Sequence, residues 1–183
     1  CVDESLLPIA ESVAANSPQI KGWIVMTDKP LDQIKTTLKP LLHYEDLLAA
    51  ADTKIDWPEI DETSAYSACY TTGTTGNPKG VYYSHRQIVL HTLGKGLAMG
   101  SPAEQGRFHD QDVYMPLTPM FHAHAWGVPY LATLLGVKQI YPGRYEPKKL
   151  LNLFQKESVT FSHCVPTILH MVLNAPEAQS VDF

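Results

Sequence analysis

The sequence lacks three features that would assign it to particular classes of protein. Its 19 Asp and Glu outnumber its 14 Lys and Arg, giving a formal net charge of −5, so it has no basic surplus to neutralise a nucleic-acid backbone. No apolar run approaches the roughly 20 residues that cross a bilayer, and the residues after Cys1 have neither the basic nor the apolar region of a signal peptide. We therefore expect no nucleic-acid partner and no transmembrane segment. Because the sequence does not begin with Met, we also expect it to be part of a longer protein.

Cysteine is scarce as well. The three cysteines, Cys1, Cys69 and Cys164, are odd in number and widely spaced, which argues against a disulfide framework and leaves no CxxC metal-binding pair. We therefore expect a reducing compartment, with the cytoplasm as the default. Each cysteine is interpreted as a small core residue, and no metal site made of protein ligands is predicted.

What the sequence does contain is an alternation of short apolar runs with helix-like stretches. Strands separated by helices of about ten residues predict an α/β fold with a largely parallel sheet flanked by helices. The acidic stretch 52–63 contains Pro58 and is predicted to be a surface linker. Ser84 and Gln87 have the spacing of a capping box and predict a helix start. Helices are predicted at residues 4–15, 44–51, 85–99, 125–135, 147–156 and 166–173, and strands at 22–26, 66–70, 80–83, 112–115, 138–141 and 159–162.

A loop rich in glycine and threonine follows one of the predicted strands. The segment reads Tyr70-Thr-Thr-Gly-Thr-Thr-Gly-Asn-Pro-Lys-Gly80. Glycines let backbone N–H groups approach an anion closely, hydroxyls add donors, and the lysine adds a positive charge, so the segment predicts a phosphate-binding loop. It is not a Walker A loop, because Lys79 is followed by Gly80 rather than by Ser or Thr. The plainer alternative is a Gly/Thr-rich turn that binds no ligand.

A second unusual segment, residues 119–129, reads Pro-Met-Phe-His-Ala-His-Ala-Trp-Gly-Val-Pro. His122 and His124 stand two residues apart with no carboxylate or cysteine nearby, which is a weak metal-binding pattern. A partly buried, hydrogen-bonded histidine is the commoner outcome for such a residue. Trp126 taken alone is typical of a core side chain more often than of a pocket wall.

Residues 70–81 resemble the signature of the adenylate-forming superfamily, which includes acyl-CoA synthetases, luciferases and the adenylation domains of peptide synthetases. The match to Tyr/Phe-Thr-Ser-Gly-Thr-Thr-Gly-x-Pro-Lys-Gly-Val is complete except that Thr72 replaces Ser and keeps the hydroxyl. The resemblance implies that this loop holds the β- and γ-phosphates of ATP. The residues it implies for this role are Thr71, Thr72, Gly73, Thr74, Thr75, Gly76 and Lys79.

The segment 119–129 is similar to the fatty-acyl-CoA synthetases of the same superfamily. That resemblance implies that His122 lies beside the carboxylate being activated and that Trp126 borders the acyl channel. Relatives that activate amino acids carry Asp at the position of His122, so the histidine favours a simple carboxylic acid. Residues 159–168 are similar to a further family segment, in which Cys164 replaces the usual Gly and would reshape the acyl pocket. His163 is predicted either to line that pocket or to be a core histidine.

The resemblance implies that residues 1–183 are part of the large N-terminal AMP-binding domain, with the phosphate loop at 70–81, the acyl-site segment at 119–129 and no C-terminal domain. The family's magnesium, ribose and hinge motifs and its C-terminal lysine do not occur in the sequence, so the isolated chain is expected to be inactive. The implied full reaction joins a fatty acid to coenzyme A through acyl-AMP, with ATP, Mg²⁺ and coenzyme A as cofactors and co-substrates. The alternatives are a ligase for aryl or short-chain acids and a non-catalytic nucleotide-binding module. A homodimer is an open option.

Overall fold

A computed structural model describes residues 1–71, 76–100 and 107–181 of the chain. The chain divides into two compact units, Cys1–Pro58 and Glu59–Phe183. The boundary falls within the predicted linker, whose residues 52–60 are exposed and have no helix or strand.

The first unit is a small parallel sheet with helices after two of its strands. Strand β2 (Trp23–Met26) lies between β1 (Val2–Asp3) and β3 (Leu41–His43) and is parallel to both. Helix α1 spans Leu7–Ala14 after a 3₁₀ turn at Glu4–Leu6, and helix α2 spans Tyr44–Ala50. The sequence predicted β2 and both helices but neither of the short outer strands. The buried core of this unit consists of Val2, Leu7, Ala10, Val25 and Leu38.

The second unit begins with an antiparallel hairpin and the longest helix of the described chain. Strand β4 (Ala65–Thr71) pairs with β5 (Lys79–Ser84), and helix α3 (His85–Gly100) follows β5 directly. The predicted capping box is present: the Gln87 backbone N–H donates to Ser84 Oγ at 3.2 Å, and the Ser84 N–H donates to Gln87 Oε1 at 2.8 Å. These two bonds satisfy N–H groups that would otherwise have no partner at the helix start.

A second parallel sheet follows in the same unit. Strand β6 (Val113–Pro116) is central, with β7 (Lys138–Gln139) and β8 (Phe161–His163) parallel to it on either side. The intervening segments form helices, as crossovers between parallel strands require. The helices between these strands are α4 (Val128–Leu134) and α5 (Pro147–Lys156), and helix α6 (Pro166–Leu173) follows β8. This unit also has a left-handed turn at Ala123–Gly127 and a 3₁₀ turn at Pro176–Ser180, and the first unit has a 3₁₀ turn at Leu31–Gln33.

Two groups of buried side chains hold this second unit together. Residues from β6 contribute to both, because successive side chains of a strand point to opposite faces: Tyr114 packs into the first group and Met115 into the second, and both are fully buried. The first group contains Phe108, Tyr114, Val128, Leu131, Ala132 and Val137, and the second contains Met115, Leu117, Leu150, Leu151, Val172 and Ala175.

The predicted α/β class with largely parallel sheets is confirmed, with two differences. The β4–β5 pair is antiparallel, because the seven-residue connection between the strands is too short for a parallel crossover. The helix predicted from residue 125 begins only at Val128, because the backbone before it turns in the left-handed sense. Within the described ranges, no helix is both long and apolar enough to span a bilayer.

Candidate active site

The predicted phosphate loop connects the two strands of the β4–β5 hairpin. Thr71 at the end of β4 lies opposite Lys79 at the start of β5. Gly76 has φ +116°, a conformation that other residues rarely adopt, and Lys79 is exposed. Residues 72–75 lie outside the described part of the chain, so Thr72, Gly73, Thr74 and Thr75 remain predicted phosphate contacts. The hairpin presents Lys79 to solvent at the base of the loop, where it can meet an anionic ligand.

The acyl-site segment contains an unusual stretch of left-handed backbone. Ala123, His124, Ala125 and Trp126 have φ between 47° and 56°, and Gly127 has φ +76°. This conformation costs roughly 1–2 kcal/mol for each residue other than glycine. Such strain persists only where the surroundings stabilise it, and it is concentrated at functional sites.

Two imidazoles stabilise the left-handed turn by binding its carbonyl oxygens. His91 Nε2 lies 3.3 Å from the carbonyl oxygen of Trp126, and His163 Nε2 lies 3.1 Å from that of Ala125. Because a carbonyl oxygen only accepts, each Nε2 must carry the proton and donate it. His163 Nδ1 is then the acceptor for the hydroxyl of Tyr114 at 3.2 Å. The turn is therefore tied both to helix α3 and to strands β6 and β8.

His163 is held in its neutral form. Burial is the main cause that lowers its pKa, and the positive charge of Lys95 lowers it further, whereas the hydrogen bond to Ala125 acts in the opposite direction. Its ring lies 5.4 Å from that of Trp126. His163 thus supports the turn and packs against the tryptophan, and its role in lining the acyl pocket stays a prediction.

His124, within the turn, sits among aromatic side chains. Its ring centroid lies 6.3 Å from Tyr66, 5.6 Å from Tyr83 and 6.1 Å from Tyr130. The thiol of Cys69, which is buried on β4, lies 3.4 Å from His124 Nδ1. Burial also raises the pKa of the Tyr130 hydroxyl, so this tyrosine stays protonated. His124 therefore has its own polar partner and is a partly buried, bonded histidine.

An open pocket of about 430 Å³ lies between helix α3 and the left-handed turn. Trp126 and Gly127 of the turn and His91 and Lys95 of α3 are among the residues that line it. The volume lies in the range of small-molecule sites, and such sites combine apolar walls with a few polar groups. The lining residues are Tyr83, Gln87, Ile88, His91, Lys95, Ala123, His124, Trp126 and Gly127.

The predicted acyl-site residues occupy different places relative to this pocket. Trp126 lines it, and 39% of its surface is exposed. His122 is exposed and directly precedes the turn without being part of the pocket lining. Cys164 packs against the second core group, and burial raises the pKa of its thiol. In residues 1–71, 76–100 and 107–181, no three potential ligands among His, Cys, Asp and Glu come together to hold a metal.

Sequence reasoning did not single out the α3 side of the pocket. Gln87, Ile88, His91 and Lys95 recur at spacings that place them on one face of a helix. That face carries two basic residues, which is the signal that could have identified it. The partner of this face is the left-handed turn, and no local pattern in the sequence indicated their contact.

Comparison with known proteins identifies the family to which the chain belongs. The sequence matches the AMP-binding enzyme family over residues 8–182. The chain belongs to the AMP-binding enzymes. It is 35% identical over 175 residues to a medium-chain-fatty-acid–CoA ligase of Ectopseudomonas oleovorans, covering 95% of the chain and 31% of the relative. It is 40% identical over 167 residues to a long-chain-fatty-acid–CoA ligase of Thermus thermophilus, covering 91% of the chain and 28% of the relative.

Solved structures show the same fold. The crystal structure of the anthranilate CoA ligase AuaEII in complex with anthranoyl-AMP superimposes with a TM-score of 0.75 at 20% sequence identity, covering 99% of the chain and 33% of that protein. The described AMP-binding chain thus has the architecture of the corresponding third of a much longer enzyme. It spans 31% and 28% of the two fatty-acid–CoA ligases that it resembles.

Proposed function

We propose that the full-length protein containing this chain is an ATP-dependent fatty-acid–CoA ligase. The observation that carries the proposal is the occurrence, in one compact unit, of the phosphate-loop hairpin and of a pocket walled by Trp126. The hairpin suits the phosphates of ATP, and the pocket suits an acyl chain. Membership of the AMP-binding family and the two fatty-acid–CoA ligase relatives support this combination.

The proposed reaction has two steps. A carboxylate oxygen of the acid attacks the α-phosphorus of ATP, the bond to the bridging oxygen breaks, and pyrophosphate leaves with its electron pair. The thiolate of coenzyme A then attacks the acyl carbon of acyl-AMP and displaces AMP, which forms the thioester. The carboxylate and ATP are both anions, so catalysis depends on positioning and on neutralising charge.

The residues of this chain contribute to the first step. Lys79 at the base of the loop would bind the departing pyrophosphate as a point charge, together with the hydroxyls and N–H groups of residues 71–76. Mg²⁺, when bound with ATP, supplies further charge neutralisation. His122 would orient the reacting carboxylate, and Trp126 would bound the acyl chain. An imidazole at residue 122 suits a simple acid better than an amino acid, whose ammonium group requires an anionic partner.

The proposal also includes a cellular setting. Cys1, Cys69 and Cys164 are all free thiols, which suits the reducing cytoplasm.

The oligomeric state is proposed to be a monomer or a homodimer, and size-exclusion chromatography of the full-length protein with light scattering distinguishes the two.

The test is ATP–pyrophosphate exchange by the full-length protein in the presence of fatty acids. We expect Lys79→Ala and Thr75→Ala each to lower the exchange rate by about tenfold to a hundredfold, because each removes a contact to a charged phosphate. Lys148→Ala, which removes an exposed lysine of α5, is the matched control and should leave the rate unchanged. Unchanged exchange in both loop variants would overturn the assignment of the loop.

A further inference from the structure

Lys95 places a positive charge in the wall of a largely apolar pocket. It lies on α3 one turn beyond His91, and its side chain is half-buried. Ile88, Trp126 and Gly127 are apolar neighbours in the same lining. An ammonium group loses hydration in such surroundings, which is unfavourable unless an anionic or polar partner replaces the water.

No such partner is supplied by the part of the chain that the structure describes. The residues lining the pocket include neither Asp nor Glu, and Lys95 forms no ion pair within the described ranges, whereas Lys29 and Lys138 pair with Glu4 and Glu157. The charge of Lys95 nevertheless acts on its surroundings, because it contributes to lowering the pKa of His163. The pocket is therefore positive at this end, and the described residues that line it supply no carboxylate to compensate the charge.

Lys95 lies far from the end of the pocket that adjoins the phosphate-loop hairpin. Tyr83 and Gln87 stand at that end, at the junction of β5 and α3. Lys95 follows Gln87 by eight positions of α-helix, a rise of about 12 Å. A ligand that reaches from the β5 end to Lys95 is thus extended, and its two ends meet different chemistry.

We propose that Lys95 determines substrate specificity by binding a second anionic group at the far end of the acid. The substrate class is then an aliphatic acid with a terminal carboxylate, a dicarboxylic acid activated at one end. This inference rests on the proposed ligase function and refines its substrate. The ammonium of Lys95 supplies up to three donors for the terminal carboxylate.

The experiment compares matched acids on the full-length protein. For each chain length, kcat/KM for acid-dependent pyrophosphate release is measured with the monocarboxylic acid and with the dicarboxylic acid of equal carbon number. We expect the dicarboxylic acid to be favoured by about tenfold or more at the length that spans the pocket, because a charge-assisted bond forms only with that substrate. Lys95→Met should abolish this preference, whereas Lys95→Arg should retain most of it.

The controls separate specificity from damage to the protein. Lys95→Met should lose at least about tenfold more kcat/KM on the dicarboxylic acid than on the monocarboxylic acid, whereas Lys148→Met, the same change at an exposed site, should leave both activities unaltered. A wild-type enzyme with equal or greater kcat/KM for monocarboxylic acids at every length would overturn the role of Lys95. So would an equal loss on both acids in Lys95→Met and Lys95→Gln. Absence of pyrophosphate release with every acid would instead overturn the ligase function, and this inference with it.

Discussion

At the scale of single residues, Gly127 is the position where the left-handed turn meets helix α3. Its φ is +76°, and a Cβ atom built there would lie 2.5 Å from Nε2 of His91. We expect Gly127→Ala to destabilise the protein by about 2–3 kcal/mol, since the substitution adds backbone strain and displaces the imidazole that binds the Trp126 carbonyl. The measurement is the shift of the thermal unfolding midpoint of the full-length protein.

Gly94 offers a matched control on α3. It is a helical glycine, and a Cβ atom added there would meet no atom within 4 Å among the described residues. Gly94→Ala is therefore expected to raise stability by roughly 0.5–1 kcal/mol, as glycine-to-alanine changes do inside helices. A lower midpoint for Gly94→Ala, or an unchanged midpoint for Gly127→Ala, would contradict the steric argument.

The residues of the site differ in whether a contiguous sequence motif identifies them. Lys79 and Trp126 stand in long contiguous motifs, so the sequence alone identified them, and their placement on the hairpin and in the pocket is compatible with the predicted roles. His91 and Lys95 line the pocket only because α3 packs against a turn about 30 residues further along the chain. No local sequence pattern predicts that contact, because it depends on the left-handed backbone before Val128, which the sequence pattern predicted to be helical from residue 125.

At the scale of elements, the capping box of α3 joins the phosphate-loop hairpin to the pocket. Ser84 ends β5, and its hydroxyl accepts from the Gln87 N–H. Ser84→Ala should destabilise the protein by about 1 kcal/mol through loss of this cap, and it should raise amide hydrogen exchange in the first turn of α3.

Ser84→Thr keeps the hydroxyl and is the control for this cap. It should retain most of the wild-type protection in hydrogen–deuterium exchange read by mass spectrometry, since Thr is also an effective N-cap residue. Equal exchange in Ser84→Ala and the wild-type protein would show that the helix start is held by other contacts, such as the ion pair between Arg86 and Glu62 at 2.8 Å.

Helix bounds were predictable where a local stop or start signal exists. Helices α5 and α6 both begin at a proline, and their predicted bounds agree with those observed. Pro is favoured in the first turn of a helix, and the same rule, applied to Pro129, would have placed the start of α4 within one residue of the observed Val128 instead of at residue 125. The outer strands β1 and β3 have only two and three residues, too few for an alternating pattern to emerge.

At the scale of the whole molecule, the chain holds only some of the groups that the proposed reaction needs. It contributes the phosphate-loop hairpin and the pocket of Trp126 and Lys95, yet it covers 31% and 28% of the two ligases it resembles. Rate enhancement in a two-substrate reaction depends on holding all reacting groups together in one geometry. A chain that holds only part of the active site is therefore expected to have far less activity than its share of the substrate contacts would suggest.

We accordingly expect the isolated 183-residue chain to release no pyrophosphate in the presence of fatty acid, ATP and Mg²⁺, under conditions where the full-length protein does. Circular dichroism and a cooperative unfolding transition establish first that the isolated chain is folded. Turnover by the folded chain would contradict the proposed division of the active site. Binding of ATP without turnover, measured by calorimetry and weakened by Lys79→Ala, would instead show that the loop hairpin binds phosphate by itself, and that catalysis requires the remaining two thirds of the enzyme.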